Sequence, residues 1–379
     1  MRSLVLKEEI MMKLRKLVTL MLCLSMLVSA VAMAGCDDKE EDGKLKVGII
    51  YISPKTDGGW SEAHAKGFAQ AVENIGADKV QLAEIESIDD NDAQATETAL
   101  RQLAEQGCEL VFATSYNYMN TVVKLADEYK DIKFEHCSGY MSSENLANYF
   151  GQIEQARYLS GIVAGRMTES DKIGFVAAQK IPEVMRAVNS FTLGVRSVNP
   201  EAEVMVSWTN TWYDPQKEKE AAIALIDSGC DVVGQHQDST ATQEAAQEKG
   251  VYGIGYDNPM YSEAIKDAYL TAPIWLWGAY YEERIQAVLD GTWESGAYWG
   301  GMAEGVVALD EMTDLVPQEV QDEVNGLVDT MKEQGNAYVF AGPINDNTGE
   351  LRVAEGESLD KDSQMSMDWY VEGITVAAE

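Results

Sequence analysis

The chain has 379 residues, with 63 acidic and 29 basic side chains and a formal charge of −34. That balance excludes a nucleic-acid binder, which must neutralise phosphates with Lys and Arg. Apolar residues at 46% and charged residues at 24% exclude a disordered chain, and the length suits roughly two domains.

In chain order, Lys13, Arg15 and Lys16 precede an apolar run over 17–28, and small residues follow up to Gly35. This is the order of charged, apolar and cleavage regions in a secretory leader over 1–35. A membrane-spanning anchor is the alternative reading, and the true start can be Met1, Met11 or Met12. Met33-Ala34-Gly35-Cys36 resembles the bacterial lipobox, which implies cleavage before Cys36 and a lipid on its thiol. A polar stretch over 36–44 then reads as a flexible tether. The first 35 residues hold five basic and two acidic side chains, so without them the charge is −37. Cys108, Cys137 and Cys230 follow no C-x-x-C spacing and are odd in number, so they read as buried thiols.

Strand-like runs at 45–52, 80–85, 110–114 and 133–137 alternate with helical patterns at 61–75, 92–106 and 117–129. A linking helix at 151–167 opens a second, similarly spaced series. Its strands are at 172–177, 203–208, 231–235 and 251–256, and its helices at 182–198, 215–228 and 240–249. Pro182 and Pro215 suit first-turn positions. Strand alternating with helix predicts an α/β fold of two doubly wound, Rossmann-like lobes. Further on, 269–273 reads as a strand, 277–290 and 317–335 as helices, 337–340 as a strand, and 345–349 as a hairpin turn. This last part is expected to cross between the lobes. The first lobe then covers 45–150 plus 274–300, and the second 151–273 plus 301–379.

Ligands of open α/β sheets bind beyond the carboxyl ends of the strands. Asp57, the Gly58-Gly59 pair, Trp60 and Ser61 follow the first strand, and Tyr116 follows the third. In the second series Trp212 and Asp214 follow one strand, His236 and Asp238 the next, and Asp257 the one after. Trp275 and Trp277 follow the crossing strand. Tryptophan thus gathers at loop ends, where it suits a flat, uncharged ring with polar edges. Several of these residues have a plainer reading. His64 can be an exposed helix residue, and His136 a core histidine satisfied by backbone. Asp57 and Asp214 can simply cap helices, Ser61 can cap the helix after it, and Trp208 and Trp277 can be packing. Arg186 and Asn189 share a helix face and can hold either the ligand or the opposite lobe. No phosphate loop, G-x-S-x-G elbow or H-E-x-x-H motif is present. The three histidines lack metal-ligand spacing, and no cofactor is expected.

Several segments together resemble the basic membrane protein (BMP) family of ABC-importer solute-binding lipoproteins. They are Asp57-Gly-Gly-Trp60-Ser-Glu-Ala-His64, Phe134-Glu-His136, Tyr158-Leu-Ser-Gly161, Thr211-Trp-Tyr-Asp-Pro215, Gly255-Tyr-Asp257 and Met367-Asp-Trp-Tyr-Val-Glu-Gly373. The resemblance implies a type I periplasmic-binding-protein fold, with two lobes joined by three crossovers and closing on a ligand. It implies a purine ligand, a permease partner, a monomer on the outer side of the membrane, and no catalysis. The family's two stacking aromatics correspond to Trp60 and Trp212, and its ribose-binding acid to Asp257. Two departures point from nucleosides towards a free base such as adenine. Ser61 stands where the nucleoside binders carry asparagine, and Trp275 where they carry a ribose-binding lysine. The expected site has Trp60 and Trp212 stacking, and His236, Asp238 and Asp257 on the ring edge. Tyr116, His64 and Trp275 close the walls. Purine nucleoside binding is the alternative, and a nucleoside-processing enzyme a more distant one.

Overall fold

The computed structural model describes residues 43–377. The leader, Cys36 and most of the tether lie outside the described residues. Ten strands build the two lobes. The first lobe holds β1 (Leu45–Ile50), β2 (Val80–Ile85), β3 (Leu110–Ala113), β4 (Lys133–Cys137) and β5 (Leu146–Gly151). The second holds β6 (Lys172–Ala177), β7 (Glu203–Trp208), β8 (Val232–His236), β9 (Tyr252–Ile254) and β10 (Tyr269–Thr271). The chain then adds β11 (Pro273–Trp275), β12 (Ala297–Gly300), β13 (Val307–Leu309), β14 (Ile344–Asn345), β15 (Leu351–Val353) and β16 (Ile374–Val376).

The strand order is β12-β5-β4-β3-β1-β2 in one sheet and β10-β9-β8-β6-β7-β16 in the other. Every pairing in both sheets is parallel. Leaving out β12 and β16 and shifting by five strands, the two orders are the same, which is the repeat visible in the sequence spacing. Each lobe adds one strand from the late part of the chain, and on opposite sides: β12 beside β5, and β16 beside β7.

The helices that frame the site are α1 (Trp60–Ile75), α2 (Ala93–Glu105), α3 (Met119–Glu128), α4 (Glu154–Met167), α5 (Pro182–Val198), α6 (Pro215–Asp227), α7 (Ala241–Lys249) and α8 (Gly278–Leu289). Local chemistry sets their ends. The Asp92 carboxylate accepts from the amides of Gln94 and Ala95, capping α2. Proline opens both α5 and α6, where its missing N–H costs nothing. Left-handed Gly250 ends α7.

Three expectations are corrected. The 337–340 segment is helical, as Asn336–Val339, rather than a strand. A short apolar run does not declare its period, and this one closes turn bonds onto Gly335 and Asn336. Strand β5 precedes the linking helix; its six residues are all buried, so no alternation marks them out. The 269–273 strand divides at Pro273, which starts β11 in a separate antiparallel pair with β13.

Candidate functional site

Strand order reverses between β1 and β3 in the first sheet, and between β6 and β8 in the second. The loops at these two switch points face each other across a pocket whose empty space, counted out to open solvent, is about 310 Å³. Ile52, Trp60, Ser115, Tyr116 and Ser138 line it from the first lobe. Glu183, Trp212, His236, Asp238 and Tyr256 line it from the second. No Lys or Arg belongs to this lining.

Trp60 is the first residue of α1 and only 8% exposed. Its indole N–H donates to the Thr114 carbonyl at 2.6 Å. Its ring meets His64 edge-on at 4.4 Å, and Trp275 and Trp277 edge-on at 6.0 Å each. The loop ahead of it is organised by Asp57, whose carboxylate accepts from Ser53 Oγ at 2.5 Å and from the amides of Gly59, Ser61 and Glu62 at 2.9–3.1 Å. Asp57 therefore caps α1, the role expected of Ser61. Ser61 instead lies inside the helix, its hydroxyl 2.6 Å from that of Ser53. Neither residue lines the cavity.

His64 stands behind Trp60. It stacks on Trp277 at 5.1 Å with an 8° tilt, and its Nδ1 meets the Tyr281 hydroxyl. Burial pushes it well below the usual histidine range, so the ring is neutral. His136 is a core histidine: its Nε2 lies 2.7 Å from the Ser115 carbonyl and so fixes a lining residue, while its buried Nδ1 has no partner among the described residues.

The second lobe's wall is more polar. Trp212 is partly exposed, lies 6.2 Å from His236 between ring centres, and has an indole N–H with no partner among the described residues. His236 is 2% exposed and neutral, because burial and then the charges of Arg157 and Arg186 depress its pKa. Its ring sits 4.4 Å from that of Tyr256, and its Nδ1 is unpartnered. Asp238 is 3% exposed with a free Oδ2. Burial, then the nearby Asp257 and Asp57 carboxylates, hold it well above the usual carboxylate range.

Asp257 differs from its expected place. It is fully buried, its Oδ1 accepts from the Trp275 indole at 3.1 Å, and it does not line the cavity. Its backbone is left-handed at φ 70°, a strained setting for a non-glycine residue. Trp275 stacks on Trp277 at 4.7 Å and fills the space beside Asp257. Gly151 leaves room for that indole, since a Cβ there would sit 2.3 Å from its ring. Arg186 is also elsewhere. It is 3% exposed and pairs with buried Glu154 at 2.8 Å, tying α5 to α4.

The cleft is shut. The Asn258 amide donates to the Gly59 carbonyl across the lobes. A Cβ on Gly59 would lie 2.4 Å from the Asp238 carbonyl oxygen, so only glycine admits this approach. Ser138 Oγ of the first lobe donates to Glu183 Oε2 of the second. Glu183 is the wall residue the sequence concealed. An acid in a first helical turn reads as a partner for the helix dipole, and no local pattern separates that from a cavity wall.

Two such lobes closing on an aromatic cavity define a solute-binding clamp. The model of the PnrA-like ABC transporter substrate-binding proteins, Bmp, matches residues 44–338, and the chain belongs to that family. A purine-binding protein of Brucella abortus is 38% identical over 92% of this chain and 97% of its own length. A putative ABC transporter glucose-binding protein of Haloferax volcanii is 39% identical over 86% and 79%. A solved solute-binding protein of Conexibacter woesei, 24% identical, superposes with a TM-score of 0.63 over 76% of this chain and 96% of its own, a likeness of fold. The chain is thus a substrate-binding protein of ABC transport, of a family that binds rather than transforms its ligand and works outside the cytoplasm. Among the described residues no helix is long and apolar enough to cross a membrane, and no group of three or more His, Cys, Asp or Glu is arranged to hold a metal ion.

Proposed function

We propose that this protein captures a free purine base, adenine-like, for an ABC importer, and that it is held to the membrane by a lipid on Cys36. The observation that carries the reading is the cavity itself, with Trp60 and Trp212 reaching it from opposite lobes and no cation on its walls. Trp275 occupies the region beside Asp257, where a ribose would otherwise extend. The Brucella relative's purine binding supports the same class.

The mechanism is hinge closure. The base stacks on one lobe, the other lobe rotates onto it, and the closed form docks on the permease. Ligand drives this by binding the closed state better than the open one. A sugar is the second reading, favoured by the name of the Haloferax relative. Mass spectrometry of the small molecule released from protein purified without added ligand tests the proposal. A purine base is the expected result, and a hexose would overturn it. For the anchor, Cys36→Ala should move the protein from the membrane to the soluble fraction, whereas persistent attachment would favour an uncleaved span.

A further inference from the structure

Glu183 belongs to the cavity wall and to the lobe contact at once. It stands in the first turn of α5, on the wall of the second lobe, with 12% of its side chain exposed. Its Oε2 accepts from Ser138 Oγ, another wall residue, on the first lobe. Its Oε1 is 3.8 Å from His236 Nε2, beyond hydrogen-bond reach. Arg186, one turn along the helix, is paired with Glu154 and leaves the Glu183 carboxyl to the cavity. The Asn258–Gly59 bond also crosses the lobes, but neither of those residues lines the cavity.

We infer that Glu183 is both a latch and a specificity-determining residue. It ties the lobes through Ser138 and accepts an N–H from the edge of the bound ring with its other oxygen. The inference rests on the reading of the cavity as a heterocycle site, and it names the edge that is selected. Ionised, the Glu183 carboxyl only accepts, so a ring turning an N–H towards Oε1 satisfies it. A ring turning a carbonyl oxygen there sets two acceptors against each other, and such mismatches are strongly rejected. An amino-substituted edge is therefore preferred to an oxo-substituted one.

Two variants separate the roles. In Glu183→Gln the side-chain carbonyl can still accept from Ser138, but an amide N–H₂ replaces the acceptor on the ring side. In Ser138→Ala the latch is lost and the acceptor kept. Calorimetric titration with adenine and hypoxanthine reads both. Ser138→Ala should weaken the two purines by the same factor, about fivefold. Glu183→Gln should shift the adenine-to-hypoxanthine affinity ratio by about tenfold or more towards hypoxanthine. An unchanged ratio in Glu183→Gln overturns the specificity role, and unchanged affinities in Ser138→Ala overturn the latch. If the wild type takes glucose and neither purine, the purine reading fails by itself. The latch then still predicts a severalfold loss of glucose affinity in Ser138→Ala, and an unchanged glucose affinity would overturn it too.

Discussion

The cavity's two walls hold their tryptophans in different ways. On the first lobe Trp60 is set among His64, Trp275 and Trp277, with its indole N–H bonded to backbone, so the ring is part of the core. On the second lobe Trp212 is partly exposed in a loop, its N–H free, and its neighbours His236, Asp238 and Glu183 are polar. The first wall fixes its tryptophan in the core beside the hydroxyls of Ser115, Tyr116 and Ser138, while the second carries the carboxyls and the imidazole. The contrast explains why a substitution on one side should damage the fold and its counterpart only the binding.

Truncating the two tryptophans tests that contrast with the largest effect. Trp60→Ala removes a buried indole and should cost about 3–5 kcal/mol of stability, seen as a fall in the denaturation midpoint along with lost binding. Trp212→Ala should cost about 1–3 kcal/mol of affinity and leave the midpoint nearly unchanged. Equal losses of stability in the two variants would remove the distinction between the walls. Gly59→Ala should weaken ligand binding by about 1–3 kcal/mol, because the added methyl group meets the Asp238 carbonyl only when the lobes meet. Thermal melting without ligand should stay near that of the wild type, and a large drop there would place the damage inside a lobe.

The smallest effect concerns Glu218, beneath the second wall. Burial raises its pKa to about 7, against an unfolded value near the ordinary carboxylate range. Its Oε2 accepts from Ser239 Oγ, and its Oε1 accepts from the Asp214 amide at 2.8 Å. A carboxyl raised by folding stabilises the protein when protonated, and that contribution is lost as pH rises through about 7. Stability should therefore increase on going from pH 8 to 6.5, with this residue supplying on the order of 1 kcal/mol. Glu218→Gln should flatten that increase in urea denaturation curves, and an equally steep increase would deny the assignment.

Much of this architecture was legible beforehand, and the reason is periodicity. Two series of strand and helix with similar spacing became two sheets whose first five strands follow the same order, and the residues after each strand supplied the cavity. Trp60, Tyr116, Trp212, His236 and Asp238 meet there. What failed to show was anything dependent on contacts between distant segments. Arg186 reads as a group for the ligand or the opposite lobe, and it is spent instead on Glu154 of another helix. Asp257 sits at the right strand end, but Trp275 arrives from a later segment and donates to one of its carboxylate oxygens. Glu183 was hidden because its partner Ser138 is on the other lobe. Strand β5 leaves no mark in the sequence because a strand buried on both faces carries no alternating pattern.

The central claim is that a shut aromatic cavity, without cations and with Trp275 beside Asp257, holds a bare purine ring. Titration of the wild type with adenine and adenosine under identical conditions tests it most directly. The account predicts that adenine binds the more tightly; tighter binding of adenosine would contradict it.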